Sequence, residues 1–163
     1  MLCGATDQGL CLFDFKYRKL IPANLARIEK LTGETFREEI HPLFPLVQEQ
    51  IATYFEGTLT RFSIPLHMVG SPFQIRVWEA LLAIPYGTTR SYEQQAIAIG
   101  SKESIRAVAS ANGENSIAVM VPCHRVIGKD GSLTGYGGGL PLKKKLLDLE
   151  SKITGNAHQQ SLF

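Results

Sequence analysis

Two helix start signals and two glycine stops between residues 91 and 113 constrain the fold of this chain more than any other feature. The stretch Ser91-Tyr92-Glu93-Gln94 has the capping-box pattern, which predicts a short helix that ends before Gly100. A second helix follows at once, with Ser101 or Ser104 as its cap and Asn112-Gly113 as its end. Two short helices joined at one glycine predict a helix-turn-helix, although many such corners have no role in DNA binding.

The second of these helices has an exposed side that suits a nucleic acid. Residues 86–145 carry eight Lys/Arg against four Asp/Glu, a net charge of +4, whereas the whole chain has +2. A polyanion would therefore bind here, and a solvated basic face is the alternative. On the exposed side we expect polar residues with two small alanines, which would let the helix approach a duplex closely: Lys102, Arg106, Ser110, Asn112, Ala107 and Ala111.

The clearest linker in the chain is Val69-Gly70-Ser71-Pro72. Ser71 can cap the helix that follows, and proline suits the first position of a helix. We therefore predict two domains, at residues 1–69 and 70–151, and a frayed polar tail at residues 152–163. The chain has 163 residues, 44% of them hydrophobic, which is enough for two small domains with cores.

The first predicted domain has the pattern of a small α+β unit. Two β-prone runs, Leu2 to Thr6 and Leu10 to Phe15, flank a glycine-containing turn and predict a hairpin. Apolar residues at helical spacing predict a helix over Pro42 to Glu56, and the alternation in Arg61 to Leu66 predicts a short edge strand. Cys3 and Cys11 lie on the hairpin arms, where we expect them to pack rather than react.

Composition excludes several classes of protein. No apolar run approaches the roughly 18 residues of a membrane span, and the N-terminus lacks a secretory pattern, so we expect a cytoplasmic protein that has no membrane partner. Three cysteines are too few for a disulfide framework or a four-cysteine zinc site. No Cys-x-x-Cys or His-x-x-x-His pair occurs, so we expect no metal.

The segment around Cys123 carries the chemistry. The apolar run Ile117–Val121 is too short for a helix and predicts a buried extended segment that leads into Pro122-Cys123-His124-Arg125. Basic neighbours lower the pKa of a thiol, which favours a nucleophile, and a buried structural cysteine is the alternative. Neighbours in a strand point to opposite faces, so a water or a turn must connect Cys123 to His124. Asp148 or Glu150 could orient the imidazole.

A glycine-rich stretch follows this segment. Residues 128–139 contain six glycines and Tyr136, without the strand context or spacing of a phosphate loop. Pro141 then opens a final helix with three lysines, residues 143–145, at its start.

These features together resemble the O6-alkylguanine-DNA alkyltransferase family. The resemblance covers residues 72–150 and implies a helix-turn-helix, winged-helix-like catalytic domain after a small ribonuclease-H-like domain that has little direct role in chemistry. It rests on five linked stretches: Phe73 to Leu82 with Trp78, Gly87 to Tyr92, Ser104 to Ala111, Asn115, and Pro122 through Gly139 to Glu150.

The resemblance implies a single-turnover repair reaction without a cofactor. Cys123 would take a methyl or small alkyl group from O6-alkylguanine, and more slowly from O4-alkylthymine, and would remain alkylated. His124 would deprotonate Cys123 through a water, and Glu150 would hold the imidazole. Asn115 would brace the turn before the cysteine. Tyr92 would help to rotate the nucleotide and would protonate guanine at N3.

The same resemblance implies how double-stranded DNA that contains O6-alkylguanine is bound by a monomer. The second helix would enter the minor groove, and Arg106 would replace the extruded base in the stack. The residues expected at the DNA are Arg106, Ala107, Ala111, Tyr92 and Arg125. The residues expected around the base are Tyr136, Gly137 and Gly138 as the pocket wall, with backbone groups near Val126 reading the guanine edge.

Two departures from the family pattern change these expectations. Gly137 stands where many members have Ser, which removes a side-chain donor and implies a more open pocket. Some members bind zinc in the first domain, but here Thr6 replaces one of the cysteines, so we predict no zinc.

Two other functions compete with alkyl transfer. A helix-turn-helix regulator with a structural Cys123 would bind the major groove at specific sequences, and a Cys/His hydrolase would turn over. Lesion-binding relatives without activity carry Trp at the acceptor position, which Cys123 argues against. Alkyl transfer alone accounts for Cys123, Arg106 and Tyr92 together.

Overall fold

A computed structural model describes residues 1–155 of the chain. The described part mixes helices with small sheets, in agreement with the predicted α+β class. Two short 3-10 helices, Lys102–Ser104 and Cys123–Arg125, complete the order of elements. The strands and α-helices are β1 Leu2–Thr6, β2 Gly9–Asp14, α1 Ile21–Thr32, α2 Phe44–Phe55, α3 Pro72–Leu82, β3 Arg90–Ser91, α4 Tyr92–Ala98, α5 Ile105–Gly113, β4 Val126–Ile127 and α6 Leu140–Thr154.

The predicted hairpin is confirmed, and the predicted strand after it is wrong. β1 and β2 pair antiparallel, with a register shift between Gly4 and Ala5. Within Arg61 to Leu66, only Leu66 bridges to β2, through Leu10. Pro65 has no backbone N–H with which to extend a ladder, and its carbonyl instead accepts a 2.9 Å hydrogen bond from Leu10 N.

One hydrophobic core crosses the predicted domain boundary. Side chains from β2 and α2 pack in the same cluster as those of α3, α4 and α5. Trp78 of α3 is buried at its centre and donates from Nε1 to the carbonyl of Ala111, at 2.8 Å. α3 therefore connects the two parts of the chain, and its predicted start is confirmed by a capping box at Ser71.

The two short helices predicted on either side of Gly100 are confirmed, except for the cap of the second helix. Ser91 and Gln94 form the predicted capping box of α4, and Gly100 adopts a left-handed backbone (φ 71°) after its end. Neither Ser101 nor Ser104 caps α5 through its side chain, because the Ser101 hydroxyl donates to the Ser104 hydroxyl instead, at 2.7 Å. The chain enters α5 through the 3-10 turn.

Residues 117–121 form a buried turn, so the prediction of an extended segment is wrong. Val121 N donates to Ile117 O at 3.0 Å, and Val119 has a positive φ of 71°. That φ is unusual for a β-branched residue and costs on the order of 1–3 kcal/mol, which surrounding packing must offset. The turn redirects the chain so that Cys123 begins a 3-10 helix.

Two further findings concern α6 and the helices as a set. α6 continues to Thr154, so residues 152–154 are helical rather than part of the predicted tail, and residues 156–163 lie outside the described residues. None of the helices in residues 1–155 is both long and apolar enough to cross a bilayer.

Candidate active site

Cys123 stands at the start of its 3-10 helix with Asn115 beside it. Asn115 Nδ2 donates to Cys123 Sγ at 3.3 Å and to the Val121 carbonyl at 2.8 Å. Its Oδ1 accepts from Ile117 N at 2.9 Å. One buried amide therefore spans the turn and reaches the thiol, which is the location expected of a brace.

Opposing effects act on the Cys123 thiol. Burial raises its pKa, while the hydrogen bond from Asn115 and the positive charges of Arg18 and Lys143 lower it. Because burial dominates, the resting group is a thiol, and reaction requires a base that removes its proton.

His124 and Glu150 are the candidates for that base and its partner. His124 Nε2 lies 2.8 Å from Glu150 Oε1, and both side chains are fully buried. Burial opposes ionisation of Glu150, but hydrogen bonds from His124 and Arg125 outweigh it and hold the carboxyl pKa well below its usual range. Burial lowers the pKa of His124 despite its contact with Glu150. The pair is therefore a neutral imidazole and a carboxylate.

That charge state determines the tautomer of His124. The carboxylate accepts, so Nε2 carries the proton and Nδ1 carries the lone pair. Nδ1 is buried and has no hydrogen-bond partner among residues 1–155. Nδ1 of the residue that follows Cys123 is therefore the atom of this pair that can accept a proton.

Three other groups hold Glu150 in place. Arg125 donates from Nε to Oε2 at 2.8 Å, the Tyr54 hydroxyl donates to Oε1 at 2.7 Å, and Gly87 N donates to Oε2 at 3.0 Å. Tyr54 lies on α2, so the first part of the chain fixes the carboxylate of the site. Asp148, the other carboxylate considered from sequence, is exposed and pairs with Lys144 at 2.8 Å.

Arg125 does not fit its expected place at the DNA. Its side chain is buried, and its guanidinium binds Glu150 and donates to the Ile84 carbonyl at 2.7 Å. The guanidinium also lies over the Tyr86 ring, 5.5 Å from the centroid. The family resemblance led us to expect Arg125 at the DNA, whereas Glu150, 25 positions away in the sequence, pairs with it inside the protein.

A cavity of about 650 Å³ opens beside Cys123. Tyr136 and Gly137 form part of its wall, as expected, and residues Tyr17 to Leu20 form another part. Val126 is buried, and its carbonyl accepts from Lys143 Nζ at 2.5 Å, which leaves the second lone pair of this oxygen for a base. Gly138 does not line this cavity, and its carbonyl accepts a hydrogen bond from the Tyr17 hydroxyl at 3.0 Å.

Lys143 is a site residue that sequence reasoning did not identify. It is fully buried, and its Nζ donates to carbonyls of β4 and of the glycine-rich stretch, Val126, Thr134 and Gly135. Burial lowers its pKa to about 8. The carbonyls of Thr134 and Gly135 also accept from the Tyr92 hydroxyl, at 3.2 and 3.4 Å. No local sequence signal marks a lysine whose partners are carbonyls.

The α5 face agrees only in part with expectation. Arg106 and Ala107 are exposed, and Arg106 lies at the rim of the cavity. Ala111 and Asn112 are buried, because Ala111 faces α3 and the Asn112 amide pairs with Gln95 of α4, at 2.7 and 3.0 Å. Ala111 therefore does not lie on the surface that could approach a duplex.

The three cysteines are free thiols. Burial raises the pKa of Cys3 and of Cys11 to about 11, which makes them poor nucleophiles at neutral pH. Within residues 1–155, no three His, Cys, Asp or Glu side chains are placed to hold a metal ion.

Comparison with known proteins gives a consistent family. A family model described as "6-O-methylguanine DNA methyltransferase, DNA binding domain" matches residues 72–152. A methylated-DNA–protein-cysteine methyltransferase of Mycolicibacterium paratuberculosis is 59% identical over 104 residues, 64% of this chain and 63% of its own length. The chain thus spans just under two thirds of that relative. The enzyme of the same name from Methanosarcina barkeri is 42% identical over 153 residues, 92% of this chain and 89% of its own length.

Solved structures agree with these relatives. The Mycobacterium tuberculosis OGT crystallised in complex with DNA matches with a TM-score of 0.77 and 41% identity, over 93% of this chain and 86% of that one. The O6-methylguanine-DNA methyltransferase of Pyrococcus kodakaraensis matches with a TM-score of 0.65 and 30% identity, over 88% and 85%. On these matches, the chain belongs to the methylated-DNA–protein-cysteine methyltransferase family.

Proposed function

We propose that this chain repairs DNA by direct reversal, moving a methyl or small alkyl group from O6 of guanine to Sγ of Cys123. The observation that carries the proposal is the set of groups at Cys123: Asn115 donates to its Sγ, and the next residue, His124, is held by Glu150 with an Nδ1 that has no hydrogen-bond partner among residues 1–155. O4-alkylthymine is the slower substrate that the family resemblance implies.

The reaction begins with removal of the thiol proton. A water between Cys123 Sγ and His124 Nδ1 relays the proton to the imidazole, and Glu150 stabilises the imidazolium that forms. Asn115, Arg18 and Lys143 stabilise the thiolate, each lowering the pKa of the thiol against the effect of burial.

The thiolate then displaces guanine from the alkyl carbon in line. The S–C bond forms as the C–O6 bond breaks, and the electron pair of that bond goes to O6 and the purine ring. Tyr92, at the cavity wall, gives a proton to N3 of the departing guanine and recovers one from the water and His124 relay. Cys123 remains as a thioether, which no group in the site can reverse, so each molecule reacts once.

The base reaches this site by leaving the duplex. The exposed Arg106 at the cavity rim has the planar guanidinium needed to fill the gap in the stack, and Ala107 leaves room for α5 to enter the minor groove. Exposed lysines such as Lys102 and Lys145 supply attraction to phosphates, which makes binding depend on salt.

The finer fold and setting belong to the same proposal. We assign residues 1–69 to a ribonuclease-H-like domain and residues 70–151 to a helix-turn-helix, winged-helix-like catalytic domain, acting as a monomer without a cofactor. Free thiols in the chain suit a reducing compartment, and we place the protein in the cytoplasm.

A radiolabel tests the assignment of Cys123. A duplex whose O6-methylguanine carries a labelled methyl group is mixed with the protein and with its Cys123→Ala and Cys3→Ala variants. We expect one label per molecule in the protein and in Cys3→Ala, and none in Cys123→Ala, which still binds the duplex. Full transfer by Cys123→Ala, or repeated turnover by the protein, overturns the proposal.

A further inference from the structure

Arg18 connects the first part of the chain to residues 113–123, which lead from the end of α5 to Cys123 and are called the cysteine turn below. It lies just after β2, and its side chain is only 6% exposed. Its Nη1 donates to Asp14 Oδ2 at 2.5 Å and to the Asn115 carbonyl at 2.7 Å, and its Nη2 donates to the Gly113 carbonyl. Asn115 itself contacts Cys123 Sγ, so one residue separates this guanidinium from the acceptor atom.

Arg18 also occupies the space next to Gly137. A Cβ atom added at Gly137 would overlap Nε and Cζ of Arg18. The two residues lie together in the wall of the cavity that contains Cys123. Arg18 Nε is buried and has no hydrogen-bond partner among the described residues. A side chain at 137 would displace the guanidinium, which gives a physical reason for glycine here.

The charge of Arg18 faces the thiol. Arg18 and Lys143 favour the thiolate of Cys123, while Asp14 disfavours it. The phenols of Tyr92 and Tyr136 also lie within the electrostatic reach of Cys123, and His124 is the next residue along the chain. Asp14 offsets the effect of Arg18 on the thiol only in part, because its own effect there is the smaller of the two.

We propose that Arg18 is a positioning residue for alkyl transfer. It fixes the position of the cysteine turn relative to Gly137 in the cavity wall, and it stabilises the Cys123 thiolate. This inference rests on the proposed function. Through Arg18, the first part of the chain would then affect the rate of alkyl transfer, whereas the family resemblance implied that this part has little direct role in chemistry.

The test compares Arg18→Leu and Arg18→Lys with Arg27→Leu as a matched control. Arg27 also joins the two parts of the chain, donating to the Val69 and Glu114 carbonyls at 3.1 Å each, but it does not line the cavity. Two quantities are measured: the rate of transfer from free O6-benzylguanine, and the pH dependence of Cys123 alkylation by iodoacetamide, located by peptide mass.

We expect Arg18→Leu to slow transfer about 10- to 100-fold, the loss that misplacing a reacting group by about 1 Å can cause. We also expect it to raise the pKa of Cys123. Arg18→Lys should restore the pKa but not the rate, because one compact ammonium cannot reproduce the planar fork with which Nη1 and Nη2 reach Asp14 and the Asn115 and Gly113 carbonyls. Arg27→Leu should change neither quantity. A wild-type rate and pKa in Arg18→Leu overturn the proposal.

A second pair of variants covers the case in which Arg18→Leu does not fold. Gly137→Ser should slow transfer by displacing the guanidinium, and Gly137→Ser in an Arg18→Lys background, which keeps the charge but has no planar group beside Gly137, should lose less than it does alone. Additive losses in this cycle overturn the proposal. The iodoacetamide assay needs no DNA, so it reports on Arg18 even if the wild-type protein transfers no alkyl group and the proposed function fails.

Discussion

His124 and Glu150 form a buried hydrogen bond of 2.8 Å in which the imidazole is neutral and the carboxylate is charged. The direction of this bond makes Nδ1, on the other side of the ring, the atom that accepts a proton. The relationship couples the chemistry of the site to the stability of the fold, because both residues titrate differently once the chain unfolds.

Stability should fall in acid in two stages. The pKa of His124 is lowered by burial from 6.5, so below about pH 6.5 the unfolded chain takes up a proton that the folded chain does not. Each such group costs about 1.4 kcal/mol per pH unit within its window. Hydrogen bonds lower the pKa of Glu150 from 4.5, which adds a second loss below about pH 4.5. Urea unfolding at a series of pH values measures both.

The first stage belongs to His124 if this account is right. A His124→Gln variant should then lose the pH dependence between about pH 5 and 6.5 while keeping the loss at lower pH. An unchanged slope in that variant would assign the effect to other groups.

Replacing Glu150 by Gln should damage both stability and transfer. The Arg125 guanidinium would remain buried without its counter-charge, which costs about 3–5 kcal/mol. Transfer should slow because the imidazolium loses its partner. Asp148→Asn is the matched control on the same helix, and we expect its stability to change by less than about 0.5 kcal/mol, since Asp148 is exposed. Thermal unfolding and transfer from O6-benzylguanine measure the two effects, and equal effects of both variants would contradict the role of Glu150.

Arg106→Ala should separate base extrusion from chemistry. The exposed guanidinium lies at the cavity rim and not against Cys123, so its removal should slow repair of duplex DNA about tenfold or more and leave reaction with free O6-benzylguanine unchanged. Arg76→Ala, an exposed arginine on α3, should change neither rate. Equal losses on the two substrates would remove the extrusion role.

Tyr92→Phe tests the proton donor to guanine. The ring would remain in the cavity wall, and only the hydroxyl contacts to the Thr134 and Gly135 carbonyls would be lost. We expect stability to change by about 1 kcal/mol or less. Single-turnover repair of O6-methylguanine duplex should slow about 100-fold, at the low end for a general acid. A rate within twofold of wild type would exclude Tyr92 as the acid.

Local signals made the helix layout of residues 72–155 predictable from sequence. Capping boxes at Ser71 and Ser91 and the positive-φ glycine at residue 100 act over three or four residues, so their effect can be read without knowing the fold. Local sequence signals could not predict the turn at residues 117–121, because tertiary packing holds Val119 in a backbone conformation that its side chain disfavours.

The site shows the same limit. Cys123, His124 and Asn115 stand close together in sequence and were identified there. Arg18 and Lys143 were missed because their partners are mostly backbone carbonyls, which leave no pattern in the sequence. Asp14 and Arg18 are four residues apart, a spacing that indicates an ion pair when both residues lie on a helix. Here neither residue lies in a helix, so the spacing did not predict their pairing.

Intact mass measurement after reaction tests the central claim most directly. The protein is mixed with a duplex that carries a single O6-methylguanine, and the modified residue is then located by peptide mapping. This account predicts a gain of one methylene group on Cys123 that saturates at one per molecule. No gain in mass, together with tight binding to the lesion duplex, would contradict alkyl transfer and leave Cys123 as a packing residue in a lesion-binding protein.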